Sequence, residues 1–348
     1  MTAAADLLGD LLRSTSRSFY LSLTILPRPL REPIGLAYLL ARAADTVADT
    51  RLIARAERLT HLERLRAAYR GEGQDVGAVA RACSPQQANH AERQLLERVD
   101  EAIGRVRALP SPDRAAVQAV LTTITAGMIF DLERFPGEDA ATVTALETLD
   151  DLDRYTYLVA GCVGEFWTSL HVAHRRRLAH WNVTEMSGRG VRFGKALQMT
   201  NVLRDIPGDI RHGRCYLPAR ELDTVGLVPA DLLEPSKSPR ARPLLDHLVA
   251  TTLAHYDVAW QYTLAIPRRE WRMRLACAWP LLIGLATLSA LSAVADPLAQ
   301  GTPIKVSRRA VRTILVRSAG AVWSNRALAA QAAQWRRRLV GRIGHASF

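Results

Sequence analysis

Tyr38-Leu-Leu-Ala-Arg42-Ala-Ala-Asp45-Thr-Val-Ala-Asp49 places four polar residues at offsets 0, 4, 7 and 11. At about 100° per residue these offsets fall on one narrow arc of a helix. Leu36, Leu39, Leu40, Ala43 and Val47 cover the other directions, so the helix is apolar apart from one stripe. Such a stripe is either a solvent-facing edge or a polar line facing a cavity, and the apolar remainder favours the cavity. Far downstream, Gln198, Asn201, Asp205 and Asp209 repeat the arrangement at offsets 0, 3, 7 and 11. Two carboxylates four apart on a helix repel by about 0.2–0.5 kcal/mol. A chain that accepts this cost twice gains from a cation, and paired carboxylates are the oxygen donors that Mg²⁺ takes from protein.

Helical periodicity dominates and strand alternation is nearly absent. The spacing predicts helices over 4–16, 33–49, 51–69, 88–107, 112–134, 142–147, 150–177, 184–206, 219–224, 242–265, 270–295 and 306–341. Pro27, Pro29 and Pro33 mark the entry to the first acidic helix, and Pro207 should bend or end the second. No Gly/Ser-rich linker or long repeat divides the chain. The expected organisation is a single all-α domain over 1–300, with a basic helical tail over 301–348 that is part of it or packed on it.

The chain has 348 residues, 48% hydrophobic and 23% charged, which suits a globular protein with a substantial core. Its net charge of +12 and pI near 10.2 favour anionic partners. Cys83, Cys162, Cys215 and Cys277 lack zinc-ligand spacing and fit a reducing cytoplasm. The start of the chain lacks the pattern of a signal peptide. Leu275 to Ala295 is a run of 21 uncharged residues, long enough to span a bilayer. Pro280 and the Ala, Ser and Thr content favour a buried core helix instead.

In order along the chain come Ser16-Arg17-Ser18-Phe19, the Tyr38–Asp49 stripe, Tyr155-Thr-Tyr-Leu-Val-Ala-Gly161-Cys-Val-Gly164, the Gln198–Asp209 stripe, and Gly213-Arg214-Cys-Tyr216-Leu-Pro218. This series resembles the head-to-head isoprenoid synthases, the squalene synthases and their phytoene synthase relatives, across about residues 14–295. The resemblance implies a class I isoprenoid synthase fold: one domain of helices around a central cavity, with the two aspartate motifs facing each other at its mouth. It implies that Asp45, Asp49, Asp205 and Asp209 hold Mg²⁺ (or Mn²⁺) and with it the substrate diphosphate. Arg17, Arg42, Arg204 and Arg214 would grip phosphate oxygens, with Ser16, Ser18, Tyr38, Gln198 and Asn201 completing the polar rim. Tyr155 matches a catalytic tyrosine that assists proton or leaving-group chemistry; the alternative is a buried structural tyrosine.

The implied reaction joins two farnesyl diphosphates into presqualene diphosphate, which then takes hydride from NADPH to give squalene. No dinucleotide fingerprint is visible, so NADPH rests on resemblance, with Arg17, Asn201, Lys305 and Arg308 as its candidate contacts. Ala160, Gly161 and Gly164 would either admit a prenyl chain or permit close helix packing. Asp131 is a further candidate for the cavity or an exposed helix carboxylate. Asp45-Thr46, where phytoene-type relatives carry two adjacent aspartates, and the Gly284–Leu288 stretch look squalene-like.

There are departures. Ala48, Thr50 and Gly208 replace acidic residues, and Ala276 stands where squalene synthases commonly carry Phe. A product stopping at presqualene diphosphate, hydroxysqualene or dehydrosqualene therefore stays open. A terpene cyclase would lack the repeated motif, no nucleic-acid-binding motif is present, and a non-catalytic membrane-surface or partner-binding helical protein would have no use for four intact aspartates. Lys305, Arg308, Arg309, Arg312, Arg317, Arg326, Arg336, Arg337, Arg338 and Arg342 make the tail basic. They suggest either a peripheral contact with anionic membrane, on its cytoplasmic face, or a solvated helix face. The expected state is a monomer or weak oligomer.

Overall fold

The computed structural model describes residues 6–15, 19–294, 296–298 and 304–343. Helix accounts for about 80% of the structure, with almost no strand. The chain separates into two compact units, Met1–Glu133 with Glu165–Val183, and Arg134–Gly164 with Thr184–Phe348.

The first unit contains α1 (Leu12–Thr15), α2 (Phe19–Ile25), α3 (Arg28–Asp49), α4 (Arg55–Tyr69), α5 (Val76–Cys83), α6 (His90–Glu97), α7 (Val99–Ala108) and α8 (Ser111–Arg134). α3 starts five residues before the expected 33, because Pro29 sits in its first turn, where a missing N–H costs nothing. It packs on α4, α6 and α7. Its carbonyls are tied down from α4: buried Arg58 donates through Nη1 to Ala48 O at 2.9 Å, and the Tyr69 hydroxyl to Leu40 O at 2.9 Å. A guanidinium at a helix C-terminus also meets the negative end of the dipole. The expected helix over 88–107 is broken at Arg98 into α6 and α7. α2 and α5 were missed, both being too short to show a full apolar period.

The second unit contains β1 (Thr144–Ala145), α9 (Leu149–Thr156), a π-turn at Tyr157–Gly161, the start of α10 (Cys162–His174), nearly all of α11 (Val183–Arg211), β2 (Arg214–Cys215), α12 (Ala219–Thr224), α13 (Arg242–Ala265), α14 (Trp271–Leu291), α15 (Arg308–Ala321) and α16 (Asn325–Ile343). The helix expected over 142–147 is instead a parallel strand pair, with Thr144 opposite Arg214 and Ala145 opposite Cys215. A two-residue pairing made by distant chain leaves no local pattern to read. Gly213 makes the turn into it with φ of 81°, and a Cβ there would strike the Gly137 carbonyl.

α14 is the apolar run that was long enough to cross a membrane. It packs on α13, α15 and α16, and 78% of its most apolar stretch is buried, as a core helix should be. α8 is also long and apolar enough to cross a bilayer, with half of its corresponding stretch buried. The tail is two helices, not one, broken between Ala321 and Asn325. Arg274, fully buried in α14, locks that break by donating to Val322 O at 2.9 Å, Ile266 O at 2.6 Å and Asn325 Oδ1 at 2.7 Å.

Candidate active site

In the first unit, the Tyr38–Asp49 stripe lies on α3 as read. The Arg42 guanidinium forks, Nη1 to Asp45 Oδ2 at 2.5 Å and Nη2 to Glu92 Oε1 on α6 at 2.5 Å. Burial works against its charge, but the Asp45 and Glu92 carboxylates together hold its pKa above the ordinary arginine value. The Tyr38 hydroxyl is also raised, mainly by burial, with Asp45 adding to the effect and Arg42 opposing it. It donates to Thr15 O at 3.2 Å, one residue before Ser16. Ser16, Arg17 and Ser18 lie outside the described residues. Asp45 is half-buried and Asp49 exposed. Glu92 was missed by sequence reading, since nothing local in His90–Glu97 marks it.

In the second unit, Gln198, Asn201, Arg204, Asp205 and Asp209 share α11. The helix does not end at Pro207: it continues to Arg211, with Pro207 buried inside it. Arg204 clasps its neighbour Asp205 bidentately, Nε to Oδ1 at 2.8 Å and Nη2 to Oδ2 at 2.5 Å. That hydrogen bond, then the charges of Asp205 and Asp209, raise its pKa against the effect of burial. Asn201 Nδ2 donates to Gln198 Oε1 at 3.4 Å, and Gln198 Nε2 reaches the Tyr155 oxygen at 3.5 Å.

Tyr155 is buried and stacks on Tyr216, with centroids 4.6 Å apart, while Phe135 meets the far ring edge-on at 5.1 Å. The strand pair explains this placement: fixing Arg214 and Cys215 sets Tyr216 against Tyr155. Arg214 is half-buried in β2. Beside the stripe, Lys195 Nζ lies 2.6 Å from Asp153 Oδ1, another pair that sequence reading missed. A Cβ on Gly164 would fall on the Gly190 carbonyl, and one on Gly194 on the Ala160 carbonyl. The small residues after Tyr155 therefore serve close packing against α11. Asp131 is 7% exposed, which removes the reading of it as a surface carboxylate. Lys305 and Arg308 are exposed, and among the described residues no contact joins either to Asn201.

Among the described residues no three His, Cys, Asp or Glu side chains gather into a ready metal cluster. Each stripe offers two carboxylates one turn apart, partly open to solvent. Mg²⁺ usually takes one or two carboxylates and leaves its other positions to water and phosphate, so this hard-oxygen donor set fits the ion.

The profile of the squalene/phytoene synthase family matches residues 12–310. The squalene synthase of Schizosaccharomyces pombe is 27% identical over 310 residues, covering 88% of this chain and 63% of that protein. The presqualene diphosphate synthase of Rhodopseudomonas palustris is 29% identical over 253 residues, covering 72% of this chain and 76% of that one. The chain spans less than two thirds of the length of the fungal relatives it matches. A solved complex of TcSQS with the ligand E5700 has the same fold, with a TM-score of 0.77 over 97% of this chain and 94% of the other at 24% identity. The family match spans both carboxylate stripes, and the chain belongs to the squalene/phytoene synthase family.

Proposed function

We propose that the protein is a magnesium-dependent prenyltransferase that condenses two farnesyl diphosphates head to head into presqualene diphosphate and reduces it with NADPH to squalene. The observation that carries the reading is the repeated pairing of an aspartate with a guanidinium, Asp45 with Arg42 and Asp205 with Arg204. In each, a charged fork suited to phosphate oxygens stands beside a carboxylate suited to a hard cation. Asp45, Asp49, Asp205 and Asp209 are the magnesium ligands of this reading. When bound, the metal neutralises the diphosphate as it leaves.

The chain's own residues do the rest. Arg42 and Arg204, which hold Asp45 and Asp205, would grip phosphate oxygens beside the carboxylates that would hold Mg²⁺. Arg214, Tyr38, Gln198 and Asn201 complete the polar surface, as do Ser16, Arg17 and Ser18. Tyr155, buried against Tyr216, holds or moves a proton at its phenolic oxygen beside Gln198. Preorganised donors of this kind stabilise developing charge most where water is excluded. NADPH, with Arg17, Asn201, Lys305 and Arg308 as contacts, belongs to the second half-reaction. The expected setting is the cytoplasmic side of a membrane, where the product partitions.

A second reading is favoured by Ala276, which is buried on α14 without the phenyl ring that squalene synthases commonly place there. On that reading the enzyme stops at presqualene diphosphate, the product named for its Rhodopseudomonas relative. The test supplies purified protein with farnesyl or geranylgeranyl diphosphate and Mg²⁺, with and without NADPH, and identifies the lipid by mass. Squalene formed only with NADPH supports the first reading. Presqualene diphosphate under both conditions supports the second, and a C40 product from geranylgeranyl diphosphate overturns both.

A further inference from the structure

After Asp296 the sequence holds no Asp or Glu, against ten Lys and Arg. Four of these, Arg308, Arg309, Arg312 and Arg317, line a shallow groove of about 620 Å³ along α15, together with Thr313 and Val316. All four are exposed, and none forms an ion pair among the described residues. In α16, by contrast, Arg336 is paired bidentately with Asp257. The arrangement works against the isolated helix. Like charges one turn apart repel, and Arg308 and Arg309 occupy the first turn, where the dipole disfavours cations. An external anion would offset both costs.

The helix cannot turn this face inward. Ile314, Ser318 and Ala321 are buried on its other side, and Trp279 Nε1 donates to Ser318 Oγ at 3.0 Å. The exposed face is not purely cationic. Val316 lies among the arginines at 74% exposure, and Trp323, on the turn just after α15, is 53% exposed with its edge against Trp271. A soluble polyanion gains nothing from a bare valine and indole, whereas a bilayer interface accepts both, with arginine heads at the phosphates.

We propose that the outer face of α15 docks the protein on an anionic lipid bilayer: Arg309, Arg312 and Arg317 engage lipid phosphates, and Val316 and Trp323 enter the interface. The docking is electrostatic first and therefore weakens as salt rises.

The test is co-sedimentation of the full chain with vesicles of phosphatidylcholine alone or mixed with phosphatidylglycerol, at low and high salt. Wild type should pellet with the mixed vesicles at low salt and be released at high salt. Arg309→Glu with Arg312→Glu should lower the bound-to-free ratio by about tenfold or more, and Arg309→Gln with Arg312→Gln by less. Thermal melts check that each variant is folded. Trp323→Ala should weaken binding to the mixed vesicles at low salt. Equal pelleting with neutral vesicles, or charge-reversed protein that binds like wild type, would overturn the proposal. So would displacement from mixed vesicles by a DNA duplex at equal phosphate concentration, which would assign the face to a soluble polyanion.

Discussion

Arg42 on α3 and Glu92 on α6, fifty residues apart, are joined Nη2 to Oε1 while the same guanidinium holds Asp45 through Nη1. Glu92 therefore holds the arginine through a nitrogen that Asp45 does not use. Glu92→Gln keeps the shape and an acceptor but removes the charge, which halves the strength of such a bond. The expected result is a KM for farnesyl diphosphate raised several-fold, with a smaller fall in kcat and an unchanged melt. Unaltered kinetics would show that Glu92 does not position Arg42.

All four aspartates are at least partly exposed, so on the proposed reading a substitution there removes metal binding without unfolding the chain. Asp45→Asn and Asp209→Asn should each lower turnover by about 10²-fold or more and leave the circular dichroism spectrum intact. Chelation of magnesium should abolish wild-type activity, and Mn²⁺ should restore part of it. Near-normal rates in both variants would remove the carboxylates from the metal site.

Tyr155 differs in that its ring is structural whatever its hydroxyl does. Stacking on Tyr216 needs only the ring, so Tyr155→Phe should fold normally. Product formation should slow while substrate binding, measured by equilibrium titration, stays the same. A loss of binding instead would make the hydroxyl a substrate contact through Gln198.

The stripes were legible because a helix converts spacing into direction: Tyr38 to Asp49 and Gln198 to Asp209 share faces by arithmetic alone. Their partners were not. Glu92, Asp153 and Tyr216 reach the sites through contacts between elements distant in sequence, and Thr144-Ala145 becomes strand only because Arg214-Cys215 lies beside it. Pro207 misled for the converse reason. Its local cost argues for a helix end, but the buried neighbours Ile206 and Ile210 hold α11 together through it.

Gly284 is required by one atom. A Cβ there would strike the Tyr256 hydroxyl, which bonds Thr200 Oγ1 at 2.9 Å. Because Thr200 already donates to Ala196 O, Tyr256 is the donor. Gly284→Ala should cost about 1–3 kcal/mol, read as a lower urea midpoint. Adding Tyr256→Phe removes the obstructing oxygen and leaves only a spare acceptor on Thr200. The double variant should then be more stable than the sum of the two losses predicts; simple additivity would refute the clash.

His171 is fully buried, its Nδ1–H donating to Trp167 O at 2.8 Å while Nε2 has no partner. Burial pushes its pKa down to about 3 from 6.5, with Arg175 and His174 adding to the effect and the carbonyl opposing it. His255 is pushed down to about 4, chiefly by burial and then by Arg192 and Lys195. Both stay neutral in the fold at pH values where the unfolded chain takes up protons. Stability is then complete above pH 6.5 and falls as the pH drops below it, since the unfolded state binds the protons that the fold refuses. Between pH 6.5 and 5 each group removes about 2 kcal/mol. Urea midpoints at pH 7 and pH 5 should show this fall in wild type. His171→Gln, which keeps a donor for Trp167, should lower stability at pH 7 but remove about half of the pH dependence. An undiminished fall in that variant would mean that His171 is charged in the folded protein.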